Sequence, residues 1–221
     1  VFIANPYTVT ISAFVFSVTA MIVILLLARL RGFSPESVVL AGVAFGSLFA
    51  AGSTLVQYFA EDVQVAAMVF WTFGDLGRAD WQVLTINAAV LLPVSLLFLY
   101  YRWDFNALDS GEEAAKGLGV HTGAVRIAGM LAASLLSAVV VSFFGIIAFI
   151  GLLAPHIAKR ILGGDHRFLL VASPLIGALI LLAADTAART VLSPMVLPVG
   201  ILTSLLGGPL FIYLLVARAK R

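Results

Sequence analysis

Long stretches without a charged residue alternate with short polar segments along this chain. Residues 7–28, 37–60 and 81–101 are uncharged and predominantly apolar. A helix of about 20 apolar residues crosses the roughly 30 Å hydrocarbon core of a bilayer. Each of the three stretches therefore predicts one membrane-spanning helix.

A fourth stretch, residues 127–158, is uncharged for 32 residues. As one helix it would be about 48 Å long, which is too long for one crossing and too short for two full ones. Gly145, Gly151 and Pro155 offer places to bend, so we expect a full span followed by a short helix that returns to the starting side. The later membrane helices are predicted at residues 126–147, 149–162 (the short helix), 168–189 and 197–217.

The basic residues separate unequally when successive loops are placed on alternating sides of the membrane. One side receives Arg29, Arg31, Arg102, Lys116, Arg126, Lys159, Arg160, Arg167, Arg218, Lys220 and Arg221. The other side receives Arg78 and Arg189. Cytoplasmic loops are enriched in Lys and Arg, so we expect seven crossings, an external N-terminus and a cytoplasmic C-terminus, in the cytoplasmic membrane.

The external segment between the second and third spans contains residues 63–74, an apolar stretch too short to cross. Trp71 and Trp81 lie near its end, and Trp is favoured at membrane interfaces. We therefore predict a short helix lying at the outer interface.

Composition supports a membrane location and excludes several functions. Hydrophobic residues make up 62% of the chain and charged residues 11%, against about 25% charged in soluble domains. The chain has no cysteine, and its three histidines lack metal-ligand spacing, so no metal site is predicted. A net charge of +2 without a basic patch argues against a nucleic-acid partner. We predict one all-α domain, residues 1–221, a polytopic helical bundle surrounded by lipid.

The second predicted span carries two local signals. Ser34, Pro35 and Glu36 form a favourable helix start, with Ser34 as N-cap, and a gate at the cytoplasmic mouth is the alternative role. Gly42 and Gly46 form a GxxxG pattern, which lets helices approach closely in lipid. The GxxxG face has three interpretations: ordinary helix packing, a pore lining or a dimer face.

Two charged features lie outside the apolar cores. Asp185 and Arg189 are four residues apart near the external end of a helix, where they either neutralise each other or contact an external partner. The polar cytoplasmic segment 104–120 includes Glu112 to Lys116, which favours a short helix ended by Gly117 or Gly119. Such a helix is a candidate docking element for a soluble partner.

Several strings in this order resemble one family. They are 39–46 (VLAGVAFG), 71–77 (WTFGDLG), 80–81 (DW), 145–156 (GIIAFIGLLAPH), 165–167 (DHR), 184–189 (ADTAAR), 197–200 (LPVG) and 208–209 (GP). Together they resemble the FecCD-type permease family of ABC importers for iron–siderophores, haem and vitamin B12. Members usually have about ten membrane helices, so this chain resembles the C-terminal two-thirds of a member and lacks about three N-terminal helices.

The resemblance implies a set of partners. We expect a second permease copy in a homodimer, two cytoplasmic ATPase subunits, an extracytoplasmic substrate-binding protein and a metal-chelate substrate. No cofactor is expected in this chain, because the partner ATPase would bind the ATP.

The resemblance also implies site residues. The family's coupling motif, EAA–x–x–x–G, matches Glu113, Ala114, Ala115 and Gly119, preceded by Glu112. Arg189 matches a family arginine that contacts carboxylates of the binding protein. The gate would fall at residues 34–37 (Ser34, Pro35, Glu36 and Ser37), although Pro35 and Glu36 differ from the small hydroxyl residues expected there. The second span and the last helix would line the path, with Gly42, Gly46, Gly200 and Thr203.

Two other function classes fit less well. A secondary transporter driven by an ion gradient would place an ionisable pair at mid-membrane depth beside a broken helix, whereas Asp185 and Arg189 lie towards the outer edge. An enzyme is not expected, since the sequence contains neither a Ser/His/Asp set nor a P-loop.

Overall fold

The computed structural model describes residues 6–30, 35–191 and 195–219. Within these residues the secondary structure is helical apart from one isolated β-bridge between Phe73 and Ile146. The helices are α1 Pro6–Leu30, α2 Pro35–Phe59, α3 Asp62–Thr72, the 3₁₀ helix η1 Leu76–Arg78, α4 Trp81–Tyr100, α5 Arg102–Asp109, α6 Glu112–Gly117, α7 Thr122–Phe144, α8 Ile150–Leu162, α9 His166–Thr190 and α10 Val199–Ala219. The predicted all-α class is confirmed.

Five of the described helices, α1, α2, α4, α7 and α9, are long and apolar enough to cross a membrane. A helix is present at each of the seven positions where the sequence predicts a membrane helix, and the helix ends lie within about four residues of the predicted ones. Large apolar side chains cover the outside of the bundle: Leu40 and Leu48 on α2, for example, are 69% and 73% exposed in the single chain. This exposure is expected of side chains that lipid or other membrane helices cover.

Aspartate side chains cap the N-termini of two helices, η1 and α4, on one side of the bundle. An Asp75 carboxylate oxygen accepts a hydrogen bond from Gly77 N at 2.7 Å and caps η1. Asp80 accepts from Val83 N at 2.7 Å and caps α4 in the same way. An acidic side chain satisfies free N–H groups at a helix start and suits its positive dipole end. The polar segment between α3 and α4 is therefore an ordered connection.

The short helix α8 returns as predicted. The chain breaks after α7 at Gly145 (φ 74°) and turns into α8 through Phe149, which adopts φ 67°. Lys159 in the last turn of α8 lies 3.8 Å from Asp109 of α5, while Arg126 in the first turns of α7 lies 3.3 Å from Glu112 of α6. The end of α8 and the beginning of α7 therefore lie on the same side, which we name the loop side because α5 and α6 lie there.

Small residues bring the central helices together. α8 packs along α9, and α7 packs against α1 and α4. The buried positions on α7, α8 and α9 are rich in alanine: Ala138, Ala154, Ala158, Ala184 and Ala188. A Cβ at Gly177 of α9 would lie 3.4 Å from the Ala154 Cβ, in ordinary van der Waals contact. Close approach through small side chains is the usual basis of helix packing in lipid.

Candidate functional site

The predicted coupling segment, residues 112–119, forms α6 and its C-terminal turn. Glycines bound it: Gly111 has φ 107° and Gly119 has φ 83°, conformations that favour glycine. Ala115 is fully buried and fixes α6 to the bundle, while Glu113 and Ala114 are exposed. The motif therefore presents a carboxylate on the surface of the loop side and anchors itself through its second alanine.

Glu112 has a different role from Glu113. Its carboxylate oxygens lie 3.1 Å from Lys116 Nζ and 3.3 Å from Arg126 Nη2. The Lys116 hydrogen bond, followed by its charge and by the contacts of Arg126, lowers the pKa of Glu112 below its usual value. Glu112 therefore holds α6 against the start of α7, whereas the neighbouring Glu113 faces outward.

The predicted gate is only partly described. Ser34 lies outside the described residues. Pro35 is the first residue of α2 and Glu36 lies in its first turn, as predicted for the helix start. Ser37 is half-buried one position later. The gating role of these four residues stays a prediction.

The GxxxG face of α2 is open in the single chain. A Cβ at Gly42 or Gly46 would meet no atom within 4 Å among the described residues. α2 packs against α1, so its contact with the bundle uses another face. Gly42 and Gly46 therefore have no close packing partner among the described residues, and their predicted roles in helix packing, a path or a dimer face stay untested.

Gly200 and Thr203, two residues of the predicted path, are buried in the single chain. Thr203 is 3% exposed and its hydroxyl donates to the Gly200 carbonyl oxygen at 3.1 Å. Gly200 N donates to the Gly74 carbonyl oxygen at 3.0 Å. Among the described residues, α10 packs against α8 and α9, whereas α2 packs mainly against α1.

Three glycines, Gly74, Gly145 and Gly200, meet around Ile146 in what we name the glycine junction. Asp75 N donates to the Phe144 carbonyl oxygen at 3.0 Å, and Ile146 N donates to that of Thr72 at 3.4 Å. A Cβ on Gly145 would lie 2.8 Å from the Trp71 carbonyl oxygen. The junction thus ties the segment after α3, the break between α7 and α8, and the start of α10 through their backbones.

The predicted pair on α9 is present. Arg189 Nε donates to Asp185 Oδ2 at 2.8 Å, and Arg189 Nη2 donates to Oδ1 at 3.3 Å. The Arg189 side chain is 48% exposed and that of Asp185 18%. Leu197 N donates to the Ala188 carbonyl oxygen at 3.1 Å, which ties the chain before α10 to this end of α9. The ion pair itself is therefore observed, while its role as mutual neutralisation and docking by Arg189 stay predictions.

The sequence did not single out α5. This helix carries Phe105, Asn106 and Asp109, which contact the beginning of α9. The sequence of residues 104–120 predicts a polar segment with one short helix, from Glu112 to Lys116. The signal that indicates this helix is the mixture of Trp103, Phe105 and Leu108 with charged neighbours, which is typical of an amphipathic helix.

The fold defines a helical protein with five helices, among the described residues, that are long and apolar enough to cross a membrane. The model of the FecCD transport family matches residues 1–217. The chain belongs to this family, which confirms the resemblance.

Individual relatives agree with this assignment. A protein of Methanocaldococcus jannaschii named as an ABC transporter permease is 59% identical over 221 residues, which are 100% of this chain and 63% of that protein. The hemin transport system permease of Yersinia pestis is 36% identical over 97% of this chain and 64% of its own length. The vitamin B12 import system permease of Vibrio vulnificus is 34% identical over 96% of this chain and 64% of its own length. The chain thus spans less than two thirds of the length of these relatives.

A solved structure has the same fold. It is described as a metal-chelate type ABC transporter in an inward-facing conformation, and it superposes with a TM-score of 0.79 at 28% identity. The match covers 97% of this chain and 76% of that one.

Proposed function

We propose that this chain forms the greater part of the permease subunit of a binding-protein-dependent ABC importer in the cytoplasmic membrane. The substrate class is a metal chelate, such as an iron–siderophore, haem or cobalamin, in keeping with the names of the relatives. Two permease copies form the path, and two ATPase subunits bound to the loop side hydrolyse the ATP. The chain itself binds no nucleotide and catalyses no reaction.

The observation that carries the proposal is the surface formed by α6. Gly111 and Gly119 bound a short helix whose Ala115 is buried and whose Glu113 is exposed. An exposed carboxylate on a rigidly anchored helix suits a charge-assisted contact with a soluble subunit. We name residues 112–119 the ATPase seat.

Replacing Glu113 by lysine tests the seat. The change reverses the charge presented to the ATPase, so we expect the ATPase to bind the full-length permease about tenfold or more weakly, and ATP-dependent uptake to fall with it. Glu113 is exposed, so insertion and thermal stability of the permease should not change. Binding is measured by titrating purified ATPase, and uptake in proteoliposomes.

Asp62→Lys is the control, because it makes a similar charge change at an exposed position of α3, on the side opposite the seat. Normal ATPase binding and uptake in Glu113→Lys would contradict a seat at α6. Uptake without any ATPase, driven by an ion gradient, would favour the secondary transporter instead.

Orientation is tested with single cysteines in the full-length permease. The present chain has no cysteine, so introduced thiols are not confused with native ones in this region. Residues 62 and 79 are exposed and should react with an impermeant thiol reagent in intact cells, whereas residues 110 and 164, also exposed, should react only after permeabilisation. Labelling of residue 164 from outside would contradict a cytoplasmic loop side.

A further inference from the structure

Asn106 of α5 uses both ends of its amide to hold the beginning of α9. Its Nδ2 donates to Asp165 Oδ1 at 2.9 Å, and its Oδ1 accepts from His166 N at 2.8 Å. Asp165 is the N-cap of α9 and lies 59 residues after Asn106 in the sequence. The half-buried Asn106 side chain therefore bonds to the N-terminus of α9 from a distant part of the chain. None of the roles assigned to the seat or to the docking arginine requires this contact.

Further contacts surround the amide on the same face of α5. Asp109 Oδ2 lies 3.3 Å from His166 Nε2 and 3.8 Å from Lys159 Nζ of α8. The rings of Phe105 and His166 have centroids 5.8 Å apart. Residues three and four apart are neighbours on the surface of a helix, and Asp109 follows Asn106 by three residues and Phe105 by four. α5 is therefore fixed to the turn between α8 and α9 by hydrogen bonds, charges and packing together.

Asp165 keeps its charge in this arrangement. Arg167 donates to it from Nη2 at 2.6 Å and from its backbone N at 2.9 Å. The Arg167 side-chain hydrogen bond, followed by that of Asn106, holds the pKa of Asp165 well below its usual range. A lowered folded-state pKa means that the contribution of these bonds is present above the unfolded-state pKa of about 3.9 and is lost only as the pH falls further. The contact is consequently insensitive to mild acidification.

The two helices that Asn106 joins lead to opposite ends of the molecule. α5 is continuous with the ATPase seat through a tight turn, in which Gly111 N donates to Leu108 O and Ala115 N to Gly111 O. α9 has 25 residues, a length of about 37 Å, and its far end carries the Asp185–Arg189 pair. A displacement of the seat would therefore reach α9 directly, provided that the link between α5 and α9 is stiff.

We propose that Asn106 is a positioning residue that fastens the ATPase seat to α9, so that α9 connects the ATPase with the face that docks the binding protein. The inference rests on the proposed function and adds the route by which the two partners are coupled. Asn106 lies between α5 and α9 and is not part of the seat, so its loss should spare ATPase binding and impair communication.

Asn106→Leu in the full-length permease tests the link, because leucine has a similar size and removes both hydrogen bonds. The complex with ATPase is reconstituted in proteoliposomes, with and without binding protein. We expect normal ATPase association and normal basal hydrolysis. Stimulation of hydrolysis by the binding protein, and uptake, should fall by at least about fivefold, the low end of coupling between distant sites.

The matched control is Asn87→Leu, because the Asn87 amide donates to Val83 O of its own helix at 2.9 Å. This variant should respond to the binding protein as the wild type does. The exchange Asn106→Asp with Asp165→Asn rebuilds a hydrogen bond of reversed direction between the two positions, and it should restore most of the stimulation.

The outcomes separate the two proposals. If the binding protein stimulates ATP hydrolysis as fully in Asn106→Leu as in the wild type, the proposed link through Asn106 is overturned, while the proposed function stands. Loss of ATPase association in this variant would also overturn it, since Asn106 would then act as part of the seat. If Asn106→Leu does not fold, the exchange variant decides. An exchange variant that folds and binds the ATPase, but whose ATP hydrolysis the binding protein does not stimulate, would overturn the link. A wild-type complex that neither binds an ATPase nor couples hydrolysis to uptake would overturn the proposed function and this inference with it.

Discussion

Gly200→Ala is expected to destabilise the permease strongly. The new Cβ would lie 2.6 Å from the Ile146 carbonyl oxygen and 2.9 Å from Gly74 N. Both atoms are backbone, so rotation of a side chain cannot relieve the overlap. The Gly200 N to Gly74 O hydrogen bond and the Asp75 N to Phe144 O bond resist movement of these segments. Overpacking of this kind costs about 1–3 kcal/mol, and more where backbone must shift.

Gly123→Ala is the matched control. Gly123 is the second residue of α7, as Gly200 is the second residue of α10, but a Cβ at Gly123 would meet nothing within 4 Å among the described residues. Alanine at an open helical position is favoured over glycine by up to about 1 kcal/mol. Thermal unfolding of the purified permeases should therefore show Gly200→Ala clearly below the wild type and Gly123→Ala at or slightly above it. Equal stability of the two variants would contradict the close approach in the glycine junction.

The spans were predictable from the sequence because lipid imposes a simple rule. A helix must satisfy its backbone internally and remain apolar over the bilayer thickness, so uncharged stretches mark its extent. The short helix followed from the same length argument applied to residues 127–158. The place of the break was only partly foreseen: the chain turns at Gly145 and Phe149, whereas Gly151 and Pro155 lie inside α8.

Contacts between distant segments were not predictable from local patterns. A single residue, Tyr101, separates the end of α4 from the start of α5, so no distinct start signal marks the second helix. Its partner Asp165 is 59 residues from Asn106, and the partner of Gly200 lies at Gly74. Hydrophobic patterns and helix propensities describe residues that are neighbours along the chain, whereas these contacts arise from tertiary packing.

Two groups of glycines differ in what covers them: the glycine junction is buried, whereas Gly42 and Gly46 on α2 are open among the described residues. The GxxxG spacing of Gly42 and Gly46 indicated close packing, yet that face of α2 is uncovered within the chain. Gly74 belonged to no spacing pattern, yet it lies where two other backbones meet. A spacing rule identifies a surface that permits close approach, while the approach itself depends on where the partner segment lies.

Arg189→Glu is expected to weaken binding of the substrate-binding protein by about tenfold or more at low salt, the effect of losing a hydrogen bond to a charged partner. The guanidinium is 48% exposed although it is paired with Asp185, so it can bond to a second carboxylate on a docked protein. Charge-assisted contacts of this kind weaken as salt screens them, so the difference between variant and wild type should shrink at high salt. Affinity is measured by titrating purified binding protein onto the full-length permease.

Arg78→Glu is the control for net charge on the same face. Arg78 Nη2 donates to the Phe70 carbonyl oxygen at 3.1 Å, so this arginine is tied to the end of α3 rather than to an acidic neighbour. If docking depends on a specific contact with Arg189, Arg78→Glu should cost markedly less affinity than Arg189→Glu. Equal losses would indicate general electrostatic steering in place of a specific contact.

The exchange Asp185→Arg with Arg189→Asp separates docking from pairing. It keeps an ion pair four residues apart on α9 but moves the positive charge by about one helical turn. If Arg189 only neutralises Asp185, the exchange should restore the expression and thermal stability lost in Arg189→Glu, and binding should be normal in every variant. If Arg189 docks the binding protein, the exchange should restore stability while affinity stays low, because the guanidinium no longer meets its carboxylate. Recovery of affinity would then require a Glu→Arg change on the binding protein combined with Arg189→Glu, which reverses the contact and leaves its position unchanged.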